Sequence, residues 1–351
     1  MLRELDVDLA VDVEVSVKEQ GSGAGGALID CQNIVLHGAS RREDYTISER
    51  KKRRARARNL CSNRPVTRAT PNPRTLELLE VAYGDFHSHL SRSRDPVSIA
   101  HRYPDPRDRE VVAFVSALLA YGNVRTILNS VNEALRYLGP SPSESLIEGK
   151  ITPGLERFRH RFTTGEDLRI VFSWLSTVLR RHGRLEFFFT DTPHPLDSPM
   201  RVLLSDFVNR LFAIELPADL ASALKRRNRS LRYLVSDPLR GSACKRLNMY
   251  LRWMVRGEDG VDLGLWTRIR PSQLILPVDT HLLQTLRALR WTRSRQATWR
   301  VAEAATERLR LYAPEDPVRY DFALCHLSME GNDIHGYVRH KYKRSSGATV
   351  E

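Results

Sequence analysis

The chain reads as an all-α protein, and three observations carry that reading. From Thr75 onward apolar side chains recur at three- and four-residue intervals nearly everywhere, the spacing of one helix face. The alternation that marks a half-buried strand is absent from the same stretch. Prolines follow aspartates at Asp105-Pro106 and Asp316-Pro317, the order of an N-cap and a first helical residue.

The elements follow in order. Leu76, Leu79, Tyr83 and Phe86 form the first apolar face, and Val111, Phe114, Val115, Leu118 and Leu119 the second. Ile127, Val131, Leu135 and Leu138 continue the pattern, as do Ile170, Trp174 and Val178, then Leu203, Phe207 and Leu211. Further helices are expected over 243–256, 280–289, 296–312 and 317–327. No repeat at solenoid spacing is present. The 351 residues suffice for one large domain or two small ones.

Ahead of this helical region the composition differs. Residues 5–17 alternate apolar and mostly acidic positions, which reads as a strand, and the glycine-rich stretch 21–26 offers a turn. A lone hairpin is marginal in water, so residues 1–70 are expected to be disordered, or a leader outside the working protein. The expected organisation is therefore an N-terminal extension (1–70), a helical domain of two lobes (71–330) and a basic tail (331–351).

Charge points to a class of partner. The chain carries 55 Lys and Arg against 42 Asp and Glu, a net +13. Residues 1–40 are net −5, residues 41–70 net +8, and residues 71–351 net +10. The helical region is thus basic without its extension, a balance that favours phosphate-bearing partners. The run Lys51–Arg58 reads as a solvated linker or as an arm along a phosphate backbone. Cys31, Cys61, Cys244 and Cys325 are scattered, so no metal site is expected and a reduced, cytoplasmic protein is. No apolar run reaches the roughly 18 residues of a membrane span, and with acids alternating along the N-terminus no signal peptide is expected there.

Two short motifs carry the chemistry. Lys245 lies in Gly-Ser-Ala-Cys-Lys-Arg-Leu-Asn-Met-Tyr (241–250), and Asp279 in Leu-Ile-Leu-Pro-Val-Asp-Thr-His (274–281). A Lys at one helix start and an Asp capping a later helix can meet in one cleft. Together they suit attack on a sugar C1′ by an amine and steadying of the positive charge that develops there. The amine must be neutral, and a free Lys with a pKa of about 10.4 leaves roughly one in a thousand neutral near pH 7.5. A helix N-terminus and a desolvated cleft both disfavour the ammonium, as would the neighbouring Arg246 if it faces the cleft. The plainer readings are a surface Lys on a helix that buries Leu247, Tyr250, Leu251 and Met254, and an ordinary N-cap at Asp279.

With these motifs the chain resembles the helix-hairpin-helix DNA glycosylase superfamily, in particular its lyase-type members similar to endonuclease III and 8-oxoguanine glycosylase. More closely it resembles an uncharacterised bacterial family of that general pattern, through 108–122 (Asp-Arg-Glu-Val-Val-Ala-Phe-Val-Ser-Ala-Leu-Leu-Ala-Tyr-Gly) and 320–324 (Tyr-Asp-Phe-Ala-Leu). The resemblance covers roughly 75–330. It implies a two-lobed fold with the cleft between lobes, Lys245 as nucleophile, Asp279 as the stabilising carboxylate, and Gly241 and Arg246 beside the nucleic acid. It also implies a residue that fills the gap left by a flipped nucleotide, for which Asn123 and Tyr121 stand nearest, with Arg125 as a phosphate contact; the alternative there is a glycine turn between core helices. The family's second hairpin glycine is replaced by Ala243, and the stretch from Lys245 to Asp279 is longer by about Gly257–Pro271.

The implied activity is excision of a damaged base from duplex DNA followed by strand nicking at the abasic site. It uses no cofactor and no metal, and the protein is expected to be a monomer, nucleoid-associated. The rival readings are a non-catalytic DNA- or RNA-binding protein, an enzyme acting on RNA or a modified nucleotide, and a helical protein-interaction module. Trp253 and Trp266 are read either as base-stacking rings or as core. His281 is read as a packed helix residue, and Asp321 as a buried polar link within its own helix.

Overall fold

The computed structural model describes residues 70–87, 95–257, 259–329 and 336. Thirteen α-helices lie among them: α1 Pro73–Phe86, α2 Val97–Ala100, α3 Pro106–Leu119, α4 Val124–Arg136, α5 Pro142–Glu148, α6 Gly165–His182, α7 Leu185–Thr190, α8 Met200–Phe212, α9 Ala218–Leu234, α10 Lys245–Val255, α11 Thr280–Ala288, α12 Trp299–Leu309 and α13 Asp321–Met329. They belong to one compact unit, Ala69–Glu351. The expectations for residues 1–69 and for the tail from 337 onward lie outside the described residues. None of the described helices is long and apolar enough to cross a membrane.

The all-α expectation holds, with one small exception. Arg159–His160 pairs antiparallel with Thr163–Thr164, a turn with Arg161 in the left-handed region. Two residues per strand are too few to leave a readable alternation.

Helix α3 is the centre of the packing. Every residue from Glu110 to Leu119 is buried, so the apolar face expected from the sequence is only half of the story. Ala113, Ser116 and Ala117 on the other side are buried as well; α10 and α2 both pack on this helix, with Phe114 against Tyr250 of α10 at 5.1 Å. Its start is set as expected, with Asp105 accepting from Arg107 N at 2.7 Å and Pro106 in the first turn. Each fully buried Val, Leu or Phe on it contributes about 1.5–3 kcal/mol.

Around α3, helices α4, α5 and α7 also pack, and α6 joins α5 to α9. On the other side α13 packs on α1 and on α11. The start of α6 is a capping box between Thr164 and Asp167, and Asp167 is held in turn by Arg227 of α9. At Gly165 an added Cβ would stand 1.8 Å from the Leu155 carbonyl oxygen, so two backbones meet there.

Several expectations need correcting. Asp316-Pro317 opens a turn, not a helix; α13 starts at Asp321, and Asp316 instead receives Arg256 Nε at 2.9 Å. Leu76 points away from the core and is exposed. The added stretch after Gly257 is tied to α10: Leu263 N and Trp266 N donate to the carbonyls of Trp253 and Met254, each at 2.8 Å. Its anchor is the fully buried Glu110, which receives Trp266 Nε1, Leu185 N and Arg184 Nη2 at 2.9, 2.9 and 2.7 Å.

Candidate active site

Helix α10 begins at the end of a short connection from α9. Gly241, at φ 84°, ends a 3-10 turn over Pro238–Arg240, and Cys244, at φ 47°, is the N-cap of α10. The left-handed positions fall at 241 and 244, and Ala243 has an ordinary φ. The missing second glycine therefore imposes no strain on this backbone. Lys245 follows at the first position of α10.

The other half of the site is the turn 274–279. Leu276 N donates to Thr306 Oγ1 at 3.0 Å, which pins the turn to α12. Asp279 then caps α11, its Oδ1 accepting from Leu282 N at 2.8 Å. The second oxygen, Oδ2, stands 3.8 Å from Lys245 Nζ. The two side chains are 29% and 23% exposed, reachable by a ligand yet shielded on most sides.

Both line a cleft of about 460 Å³, within the usual range for small-molecule pockets. Its apolar walls include Met249, Val278 and Phe322. Its charges are Lys245, Arg246 and Arg252 against Asp95, Asp279 and Asp321, a formal balance that leaves the interior without a net charge. Lys245 is one of three lysines among the described residues, with Lys150 and Lys225. The arginines cannot substitute for it as a nucleophile, because a guanidinium does not deprotonate in proteins.

Of the residues expected at a nucleic-acid surface, Tyr121 and Arg246 reach the cleft; Asn123, Arg125 and Gly241 do not line it. Asn123 is exposed and its side chain caps α4, accepting from Arg125 N at 3.0 Å. Arg246 lies over the rings of Tyr233 and Tyr121, 4.2 and 5.4 Å from their centroids, and donates to the Tyr233 carbonyl. Phe162 stacks on Tyr121 at 4.8 Å and, like Tyr233, is an exposed ring. The Tyr121 hydroxyl donates to the His160 carbonyl at 2.9 Å, fixing the ring.

Trp253 and Trp266 do not stack in the cleft. Both are buried, and Trp266 packs against Phe189 and Tyr250 while donating to Glu110. His281, expected to be packed, is exposed and lines the cleft. Asp321 does not close on its own helix; it accepts from Arg252 Nη1 of α10. Burial pushes its carboxyl up, to about 6, against the pull of that guanidinium.

A model of the family described as "Protein of unknown function (DUF2400)" matches residues 95–330. The chain belongs to that family. Every cleft residue named above lies within the DUF2400 match, from Asp95 to Phe322. No curated protein and no solved structure matches the chain.

Sequence reasoning missed Arg252 and placed Asp321 in the wrong pairing. A signal for Arg252 existed: it lies seven residues after Lys245, with Met249 between at four, so all three share one face of α10. Phe162 and Tyr233 left no comparable signal, since they join Tyr121 only through packing.

Proposed function

We propose that the protein is a DNA base-excision glycosylase with lyase activity, on a two-lobed fold of the helix-hairpin-helix glycosylase kind. The observation that carries this reading is the placing of the Lys245 amine 3.8 Å from the Asp279 carboxylate inside one partly shielded cleft. The helix–turn–helix run α9 to α10, with Gly241 in its connection, supports it.

The neutral Lys245 amine attacks C1′ of a flipped, damaged nucleotide. The C1′–N bond breaks, and the base leaves with the bonding pair and takes a proton. The amine nitrogen gives up one proton, the C1′–O4′ bond breaks with O4′ taking the bonding pair and a proton, and a protonated imine links Lys245 to the opened sugar. Loss of a proton from C2′ then expels the 3′ phosphate by β-elimination, which nicks the strand. Asp279 steadies the positive charge at C1′ and serves the proton transfers. The cleft's balanced charge suits an uncharged base inside, with phosphate left outside among basic surface residues.

The test is borohydride trapping on duplexes carrying an abasic site, an oxidised purine or an oxidised pyrimidine. A covalent adduct with the wild-type protein that is lost in Lys245→Gln, with DNA binding retained, is the expected result. No adduct on any of the three, or an adduct that persists in Lys245→Gln, overturns the reading.

A further inference from the structure

The floor of the cleft holds a cation whose charge is matched but whose hydrogen bonds are not. The Arg252 side chain is 4% exposed and still lines the cleft beside Lys245. Its Nε donates to Asp262 Oδ1 at 3.2 Å and its Nη1 to Asp321. Its Nη2 is buried and has no hydrogen-bond partner. An unmet buried donor costs more on a charged group than on a neutral one, and polar atoms left in that state call for an explanation.

The same surroundings decide what kind of acceptor fits. Asp321 lines the cleft against Arg252, while the fully buried Asp262 is shared between Arg252 and Arg256, so an anion entering here would meet a carboxylate as well as the guanidinium. Asp95 and Asp279 add two more carboxylates to the cleft, Asp279 with Lys245 as its partner. An incoming phosphate or carboxylate gains little from such a site. A neutral acceptor gains a charge-assisted hydrogen bond without that repulsion. Phe322 lies under the guanidinium at 5.6 Å, and with Met249 and Val278 it offers apolar contact to a flat ring.

We propose that Arg252 is the specificity-determining residue of the cleft, and that through Nη2 it reads a carbonyl oxygen on the inward edge of an uncharged heterocyclic ring. The inference rests on the reading of the cleft as a nucleobase pocket. It assigns the ligand class as ring carbonyl compounds of the oxopurine and oxopyrimidine type. Sites built to hydrogen-bond a polar group discriminate strongly against analogues that lack it, because the site's own groups are then left unpaired. Lys245, one face and two turns earlier on α10, stands where it meets the rest of the same ligand.

The experiment uses free rings and the full chain. Binding of hypoxanthine and purine, and of uracil and pyrimidine, is measured by NMR titration; each pair differs by its ring carbonyls. The oxo member of each pair is expected to bind at least about tenfold more tightly, which is about 1.4 kcal/mol, and inorganic phosphate is expected not to compete. Arg252→Lys, which keeps the charge between Asp262 and Asp321 but removes the guanidinium fork, is expected to level each pair while keeping the helical circular dichroism. Equal binding within the pairs, competition by phosphate, or no binding of any ring overturns the proposal. The wild-type comparison decides even where the variant does not fold. The lyase reading fails separately: discrimination among the rings without a trapped adduct on DNA removes the chemistry alone, and an adduct without discrimination removes this inference alone.

Discussion

The carboxylate of Asp279 stands 3.8 Å from the Lys245 amine through one oxygen while the other caps helix α11 at Leu282 N. One side chain thus has a structural task and a chemical one, and substitution can separate them. Asparagine caps a helix about as well as aspartate, whereas alanine costs about 1 kcal/mol. Asp279→Asn is therefore expected to keep the wild-type stability within about 0.5 kcal/mol, and Asp279→Ala to lose about 1 kcal/mol, by urea denaturation. Both are expected to lower the rate of adduct formation by about 100-fold, the usual effect of losing one charge-stabilising group. An active Asp279→Asn protein would leave only the cap.

Gly165 opens α6 where the Leu155 carbonyl oxygen comes closest. In open space Gly165→Ala would gain nearly 1 kcal/mol of helix propensity. Here the new Cβ would stand 1.8 Å from backbone oxygen, and backbone has to move. The net effect is expected to be a loss of about 1–3 kcal/mol, the range for overpacking, read as a lower Tm. A Tm equal to or above the wild type would contradict the close approach.

His160 is buried and satisfied in its neutral form. Its Nε2 lies 3.1 Å from the Tyr121 carbonyl, which can only accept, so Nδ1 receives the Ser130 hydroxyl at 2.9 Å. Burial holds its pKa below the ordinary 6.5. As pH falls below 6.5 the unfolded chain takes up a proton that the folded chain refuses, so stability is lost with acidification and is fully present above 6.5. Denaturation at pH 7.5 and pH 5.5, points about a unit either side of the free His value, is expected to show this loss in the wild type and a smaller one in His160→Gln. Equal pH slopes would remove His160 as its source. Because Tyr121 leans on the same carbonyl pairings, the loosened state is expected to reach the cleft wall.

Glu110 accepts four hydrogen bonds from Arg184, Leu185 and Trp266, on two distant segments, while fully buried. Burial pushes its pKa up, while Arg184 pulls it down. Glu110→Ala leaves Trp266 Nε1 and Leu185 N without partners and is expected to cost about 3–5 kcal/mol. Glu110→Gln keeps the shape and one acceptor oxygen, and is expected to cost less. The measurement is the denaturation midpoint, with Trp fluorescence reporting on Trp266.

The pairing of Lys245 with Asp279 was legible in the sequence because each sits at a helix start with a recognisable local signal, a glycine turn before one and Pro-Val-Asp before the other. The pairing of Arg252 with Asp321 was not, because nothing local marks the partner of a buried charge, and here it lies 69 positions away on another helix. Asp316-Pro317 misled for a related reason: the dipeptide suits a turn as well as a helix start, and Arg256 decides between them by taking the carboxylate. Trp253 and Trp266 carry the same aromatic signal whether they face a cleft or a core.

By itself the sequence determined the helical class, the order of most helices and the place of the Lys245 and Asp279 motifs. These depend on interactions within a few residues, namely apolar periodicity, N-caps and the φ demanded of a turn. Only the tertiary structure decided that α3 is surrounded on all sides, that 257–271 is anchored on Glu110, and that Arg252 and Asp321 form the cleft floor. Those outcomes depend on contacts between segments far apart in the chain, and burial and charge pairing are properties of the packed whole rather than of any stretch of it.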